Sequence, residues 1–126
     1  MNQAMLALFV ALGAVFGALA RWATGLWLNP MWPGFPLGTL TVNCVGGILA
    51  GVAFVVLGRF PSDGWRALAV TGFLGGLTTF SSFSAESLSL IERDRWALAL
   101  AHTLVHVLGA LACAFLGARL ARGLMA

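Results

Sequence analysis

The run Thr71-Gly72-Phe73-Leu74-Gly75-Gly76-Leu77-Thr78-Thr79-Phe80-Ser81-Ser82-Phe83-Ser84 gathers most of the chemistry this chain can offer. Thr78, Thr79, Ser81, Ser82 and Ser84 place five hydroxyls within seven residues. A single hydroxyl on an apolar helix can bond back to its own backbone; that habit explains one or two, not five. The preceding glycines each weaken a helix by about 1 kcal/mol relative to alanine. Together they predict a break around Gly75 to Thr79. A break at membrane depth frees backbone carbonyls, which can coordinate a cation. In its plainest form it is a structural kink. Phe80 and Phe83 stand three apart and share a helix face. Aromatic ring edges carry positive potential, so two edges turned into a cavity suit a small anion. The same spacing also serves ordinary packing.

Three other polar features stand out. Asn43 lies in an apolar stretch, where an amide either joins helices or donates N–H to an anion. His102 and His106 are one turn apart, with Thr103 between them. HxxxH can hold a metal, but the glutamate of HExxH is missing and no cysteine is near on that helix. A polar, partly hydrated stripe facing a pore or a partner helix is the preferred reading. Cys44 and Cys113 form no CxxC pair, so they read as small buried hydrophobes rather than a disulfide or metal framework.

These residues must be positioned by helices in lipid. Of 126 residues 60% are apolar and 9% are charged, against roughly 25% charged in a soluble domain. So few charges cannot cover a small soluble protein, whose surface is large for its volume. A spanning helix needs about 20 apolar residues. Four such stretches fit, at roughly 4–28, 37–58, 65–91 and 96–116, in a single four-helix domain covering residues 1–126. Ala18-Leu19-Ala20 could pass for a signal cleavage site, but no Lys or Arg precedes it, so residues 4–28 read as the first mature helix.

Trp22, Trp27, Trp32, Trp65 and Trp96 lie near span ends, as interfacial aromatics do. All seven basic residues are arginines at the ends of apolar stretches. Nucleic-acid binding, which needs a basic face, is not indicated. Arg21, in the last third of span 1, either snorkels to the headgroups or faces a water-filled cavity. Four arginines fall on the side of the termini and three on the other, a weak positive-inside bias that lets the chain insert both ways up. Gly13/Gly17, Gly47/Gly51 and Gly72/Gly76 recur at four-residue spacing, as helix-packing faces in lipid do.

The chain resembles a known family, the small fluoride channels called Fluc or CrcB. The resemblance rests on Gly17-Ala18-Leu19-Ala20-Arg21-Trp22, on Leu37-Gly38-Thr39-Leu40-Thr41-Val42-Asn43 with Gly46-Gly47, and on Gly72 through Phe83. These occur in family order and spacing, and span most of the chain. The resemblance implies an all-α integral membrane protein of four transmembrane helices, the third broken near its middle. It also implies an antiparallel, dual-topology homodimer with two fluoride pores, multi-pass in the bacterial cytoplasmic (inner) membrane. Asn43 would line the pore and Phe80 and Phe83 would present ring edges to fluoride. Ser81 and Thr79 would lie beside them, and Arg21 would sit in an aqueous vestibule. Carbonyls at the break, of Gly75 and Thr78, would hold a central structural Na⁺. Span 4 departs from the family pattern: His102 and His106 occupy positions where a polar track of Tyr or Ser hydroxyls is usual. That makes a pH effect on conduction an expectation.

The implied function is a passive, selective fluoride channel that lowers cytoplasmic fluoride by electrodiffusive export. HF crosses membranes as a neutral acid and dissociates inside; a membrane potential negative inside then drives the anion out. Amide N–H, hydroxyl O–H and ring edges replace fluoride's water without a fixed charge that would trap it. Three rivals fit less well. A small multidrug-type exchanger needs a carboxylate in span 1, and the acidic residue nearest a membrane centre is Glu86, in span 3. A non-transporting assembly subunit leaves the hydroxyls and phenylalanines of span 3 unexplained. An intramembrane enzyme needs an acid/base pair, a nucleophile or a metal set, and none is visible in the motifs.

Overall fold

A computed structural model describes all residues, Met1–Ala126, and it is entirely helical. Helix α1 spans Gln3–Leu28, where the Asn2 side chain accepts the Met5 N–H at 2.9 Å and satisfies one free donor of the first turn. A 3₁₀ turn, Asn29–Met31, leads through the proline-rich link to α2, Leu37–Arg59. Pro36 has no side chain to cap α2, and Asn29 Oδ1 does so instead, accepting the Gly38 N–H at 2.8 Å.

The third span, Asp63–Glu92, is two helices in succession, parted at Thr78 and Thr79. We label its halves α3, residues 63–77, and α4, Phe80–Glu92. Most of α3, Arg66–Leu74, is wound as a π-helix, a form associated with functional sites and one that periodicity does not reveal. A tight turn follows. Arg95 N–H bonds to Leu90 O at 2.8 Å and Asp94 N–H to Ile91 O at 2.9 Å, with Asp94 in the left-handed region at φ 58°. The last helix, α5, is Trp96–Leu124. It runs beyond residue 116, where the apolar pattern ends the fourth span. Ala, Leu and Arg propagate a helix well, and the Arg59 guanidinium donates to the Met125 carbonyl at 2.7 Å near its end.

Four helical segments, Gln3–Met31, Leu37–Arg59, Asp63–Glu92 and Trp96–Leu124, are long and apolar enough to cross a membrane. The buried core is small: Val42, Leu74 and Leu77 pack together, with Ala20 and Phe73 against them. Large side chains such as Phe16, Phe54 and Phe115 point outward, which lipid accepts and water would not. Two close seams hold the bundle. α2 lies parallel to α5, and a Cβ on Gly51 would stand 1.9 Å from the Ala114 carbonyl oxygen. α1 meets α3, and a Cβ on Gly17 would stand 2.1 Å from the Phe73 carbonyl oxygen. The glycine pairs expected to form packing faces lie on these seams. At such contact, dispersion between backbones replaces the hydrophobic effect.

Candidate functional site

The break falls at Thr78 and Thr79, which adopt extended conformations (φ −85°, ψ 156° and φ −150°, ψ 117°). The glycines before it are helical. Gly72 and Gly76 serve packing on α1, where added Cβ atoms would lie 2.6 Å from the carbonyl oxygens of Val10 and Ala14. Threonine chemistry makes the break itself. Thr78 closes the first half, its N–H and hydroxyl both donating to the Leu74 carbonyl, at 3.0 and 2.8 Å. Thr79 opens the second, its Oγ1 accepting the Ser82 N–H at 3.0 Å as an N-cap.

Asn43, half-buried on α2, supports the gap. In an unbroken helix the Thr79 N–H would reach the Gly75 carbonyl; here it donates to Asn43 Oδ1 at 2.8 Å. Asn43 Nδ2 donates to the Thr79 carbonyl at 3.1 Å. This two-point pairing fixes which end of the amide is which. The remaining N–H of Nδ2 faces His106 Nδ1 at 3.2 Å, so that nitrogen is the acceptor. The neutral imidazole therefore carries its proton on Nε2, which is buried with no partner.

A cavity of about 580 Å³ opens beside the break. Its lining includes Asn43, Gly75, Thr78, Thr79, Phe80, Phe83 and His106. A second cavity, about 270 Å³, is lined by Arg21, Trp22, Thr39, Thr79 and Ser82 among others. Thr79 borders both, so the break stands between them. Arg21 faces the second cavity while its Nε donates to the Gly76 carbonyl at 3.0 Å, holding α1 to the end of α3.

Phe80 and Phe83 meet edge to face, centroids 5.3 Å apart at 68°. Phe80 is 78% exposed on the isolated chain, whereas Phe83 is buried. Phe83 stacks on His102 at 5.5 Å and on His106 at 4.9 Å. Ser81 is exposed, with its Oγ 3.2 Å from Thr79 Oγ1. Ser81 and His102 line neither cavity.

Two expectations about span 4 need correction. His102 does not form a hydrated stripe: it is fully buried, with Phe35 edge-on at 5.2 Å and Phe83 stacked on it. Nor is an acid/base pair absent, because α4 brings Glu86 to the histidines. Glu86 Oε2 meets His102 Nε2 at 3.1 Å, and Glu86 Oε1 accepts the Thr39 hydroxyl. His102 Nδ1 meets Ser87 Oγ at 2.8 Å, and Ser87 Oγ lies 3.2 Å from Thr103 Oγ1. Motif spacing could not show this, since the carboxylate and the imidazoles come from different helices. One signal could have: an ionisable residue within a span marks function by default, and Glu86 is such a residue.

Four apolar helices, one broken beside a cavity lined by an amide, hydroxyls and two aromatic rings, define a multi-pass membrane protein with a polar site at its broken helix. The family described as CrcB-like protein, Camphor Resistance (CrcB), matches residues 8–118. A Bordetella petrii protein named "Fluoride-specific ion channel FluC" is 52% identical over 112 residues, covering 87% of this chain and 86% of its own length. Proteins of the same name from Chromohalobacter salexigens and Albidiferax ferrireducens are each 46% identical. The first match covers 86% of this chain and 83% of the relative, the second 94% and 92%. The chain belongs to the CrcB family, a family of channels and not of enzymes.

Proposed function

We propose that this protein is a passive, fluoride-selective channel of the bacterial inner membrane that works as an antiparallel, dual-topology homodimer. One observation carries the reading: Asn43, Thr79, Phe80 and Phe83 converge at a broken helix beside a cavity. The name borne by relatives at 46–52% identity agrees. Fluoride is small and strongly hydrated, so its water must be replaced by close donors. Both hydrogens of the Asn43 amide are engaged, to Thr79 O at 3.1 Å and to His106 at 3.2 Å. An anion would take the second hydrogen in place of the long contact to His106. His106 adds an Nε2–H without an acceptor. Phe80 and Phe83 offer ring edges, and Ser81 and Thr79 offer hydroxyls. None is a full charge, so the ion is released as readily as it is bound. Arg21, in the second cavity, draws anions towards the break; His102 belongs to the polar set behind it.

The homodimer reading is supported by the open cavity wall, the exposed Phe80 and the weak arginine bias. The carbonyl of Gly75, deprived of the Thr79 N–H, suits a cation. With Thr78 it would hold a central Na⁺, an oxygen-loving ion that would bind the protomers at their broken helices. The test is ion efflux from liposomes containing the purified protein, with fluoride and chloride electrodes in parallel. Fast fluoride efflux that depends on valinomycin, without chloride efflux, supports the reading. No fluoride efflux from a folded dimer ends it.

A further inference from the structure

We propose that Glu86, His102 and His106 form a binding site for a zinc-like divalent transition metal, distinct from the carbonyl oxygens at the break. One ligating atom from each of the three lies within 4.8 Å of the other two. In a tetrahedral shell with Zn–N of 2.0–2.1 Å, neighbouring ligand atoms stand about 3.4 Å apart. The Glu86 Oε2 to His102 Nε2 separation is already 3.1 Å, so assembly requires an inward shift chiefly of His106. Two imidazoles and one carboxylate are a zinc ligand set that leaves a fourth position open.

The second, independent observation is His106 itself. Its side chain is 4% exposed, and its Nε2 has no partner. The imidazole ring centroids of His102 and His106 are 4.4 Å apart, with the rings tilted by 44°. His106 also lines the larger cavity, which supplies an entry path.

The outer partners suit a metal at two of the three ligands. Glu86 turns Oε2 towards His102 while the Thr39 hydroxyl holds Oε1. A metal on His102 Nε2 moves the ring proton to Nδ1, where Ser87 Oγ at 2.8 Å accepts it and passes a bond to Thr103. Such second-shell acceptors hold a ligating histidine in place. His106 is the exception. A metal on its Nε2 also moves the proton to Nδ1, which would then face the Asn43 Nδ2 donor at 3.2 Å. That contact must break. A single neutral hydrogen bond adds little in net terms, and a metal–imidazole bond replaces it. No proton leaves to solvent; each ring exchanges one tautomer for the other.

Metal binding therefore unlinks Asn43 from His106. The bound ion with one carboxylate carries a net charge of +1 and an open position that a small hard anion fills. If the site lies on a fluoride path, as proposed above, occupancy turns a releasing site into a trap and blocks flux.

The test is titration of the tag-free, full-length protein in detergent with Co²⁺, followed by Zn²⁺. One Co²⁺ per chain with the visible bands of tetrahedral cobalt, displaced by Zn²⁺, is expected. Glu86→Gln and His106→Asn should each weaken binding by at least about tenfold. A folded wild-type protein with no such bands overturns the site, as do variants that bind like wild type. Size-exclusion elution checks folding; if neither variant folds, the wild-type spectrum and its displacement by Zn²⁺ decide. Fluoride efflux with and without Zn²⁺ and chelator follows. Cobalt bands without any fluoride flux leave the metal site standing and remove the channel. Fluoride flux without cobalt bands does the reverse.

Discussion

Asn43→Ala should cost the protein its break geometry, and the size of the loss follows from two bonds. Asn43 is the partner of both the N–H and the carbonyl of Thr79, at 2.8 and 3.1 Å. Alanine leaves both backbone groups unpaired at membrane depth. Each such group costs about 1–3 kcal/mol, so the pair costs about 2–6 kcal/mol. Thr79 borders two cavities, and water entering them can replace part of what is lost. The lower end, about 2 kcal/mol, is therefore expected, or a drop in Tm of about 8 °C for a domain of this size. Thermal unfolding in detergent, followed by tryptophan fluorescence, measures it. Asn43→Ser, which can hold a water against Thr79, should fall between alanine and wild type. An alanine variant that melts with the wild type would refute the assignment of Asn43 as the support of the break, whatever its effect on flux.

Other expectations follow from single contacts. Phe80→Ile should cut fluoride efflux strongly while leaving a folded dimer, because on its own chain Phe80 packs only edge to face with Phe83; Phe83→Ile should cut efflux and also lower Tm, because Phe83 stacks on both histidines. Wild-type efflux in both variants removes the ring-edge role. Gly51→Ala should destabilise the α2–α5 seam, since its Cβ would meet the Ala114 carbonyl at 1.9 Å, whereas Gly123→Ala, with nothing within 4 Å, should be neutral or slightly stabilising; equal melting temperatures would contradict this. Asp94→Gly should stabilise by up to about 1 kcal/mol, because a left-handed residue ending a helix in this hydrogen-bond pattern is best as glycine. A lower Tm would count against it.

How much was legible in the sequence depended on whether partners were local. Four spans could be read because apolar runs are long and the links hold prolines and charges. The break could be placed to within a few residues because glycines and crowded hydroxyls are local signals. Its cause was read less well: the glycines were credited, yet Gly72 and Gly76 serve contact with α1. The π-winding of Arg66–Leu74 left no trace in residue periodicity. Asn43, Phe80, Phe83 and His106 could be named as polar or aromatic outliers, but not their mutual contacts. Glu86 was weighed only as an exchanger's carboxylate, because its pairing depends on His102, sixteen residues further on and on another helix.

The central claim, selective passive conduction of fluoride, is tested most directly by the reversal potential in a planar bilayer. With a tenfold fluoride gradient, equal chloride and equal pH on both sides, the current should reverse at the fluoride equilibrium value, about 59 mV in magnitude. It should stay there when a chloride or pH gradient is added. Reversal at zero, or a potential that follows chloride or protons, would contradict the account.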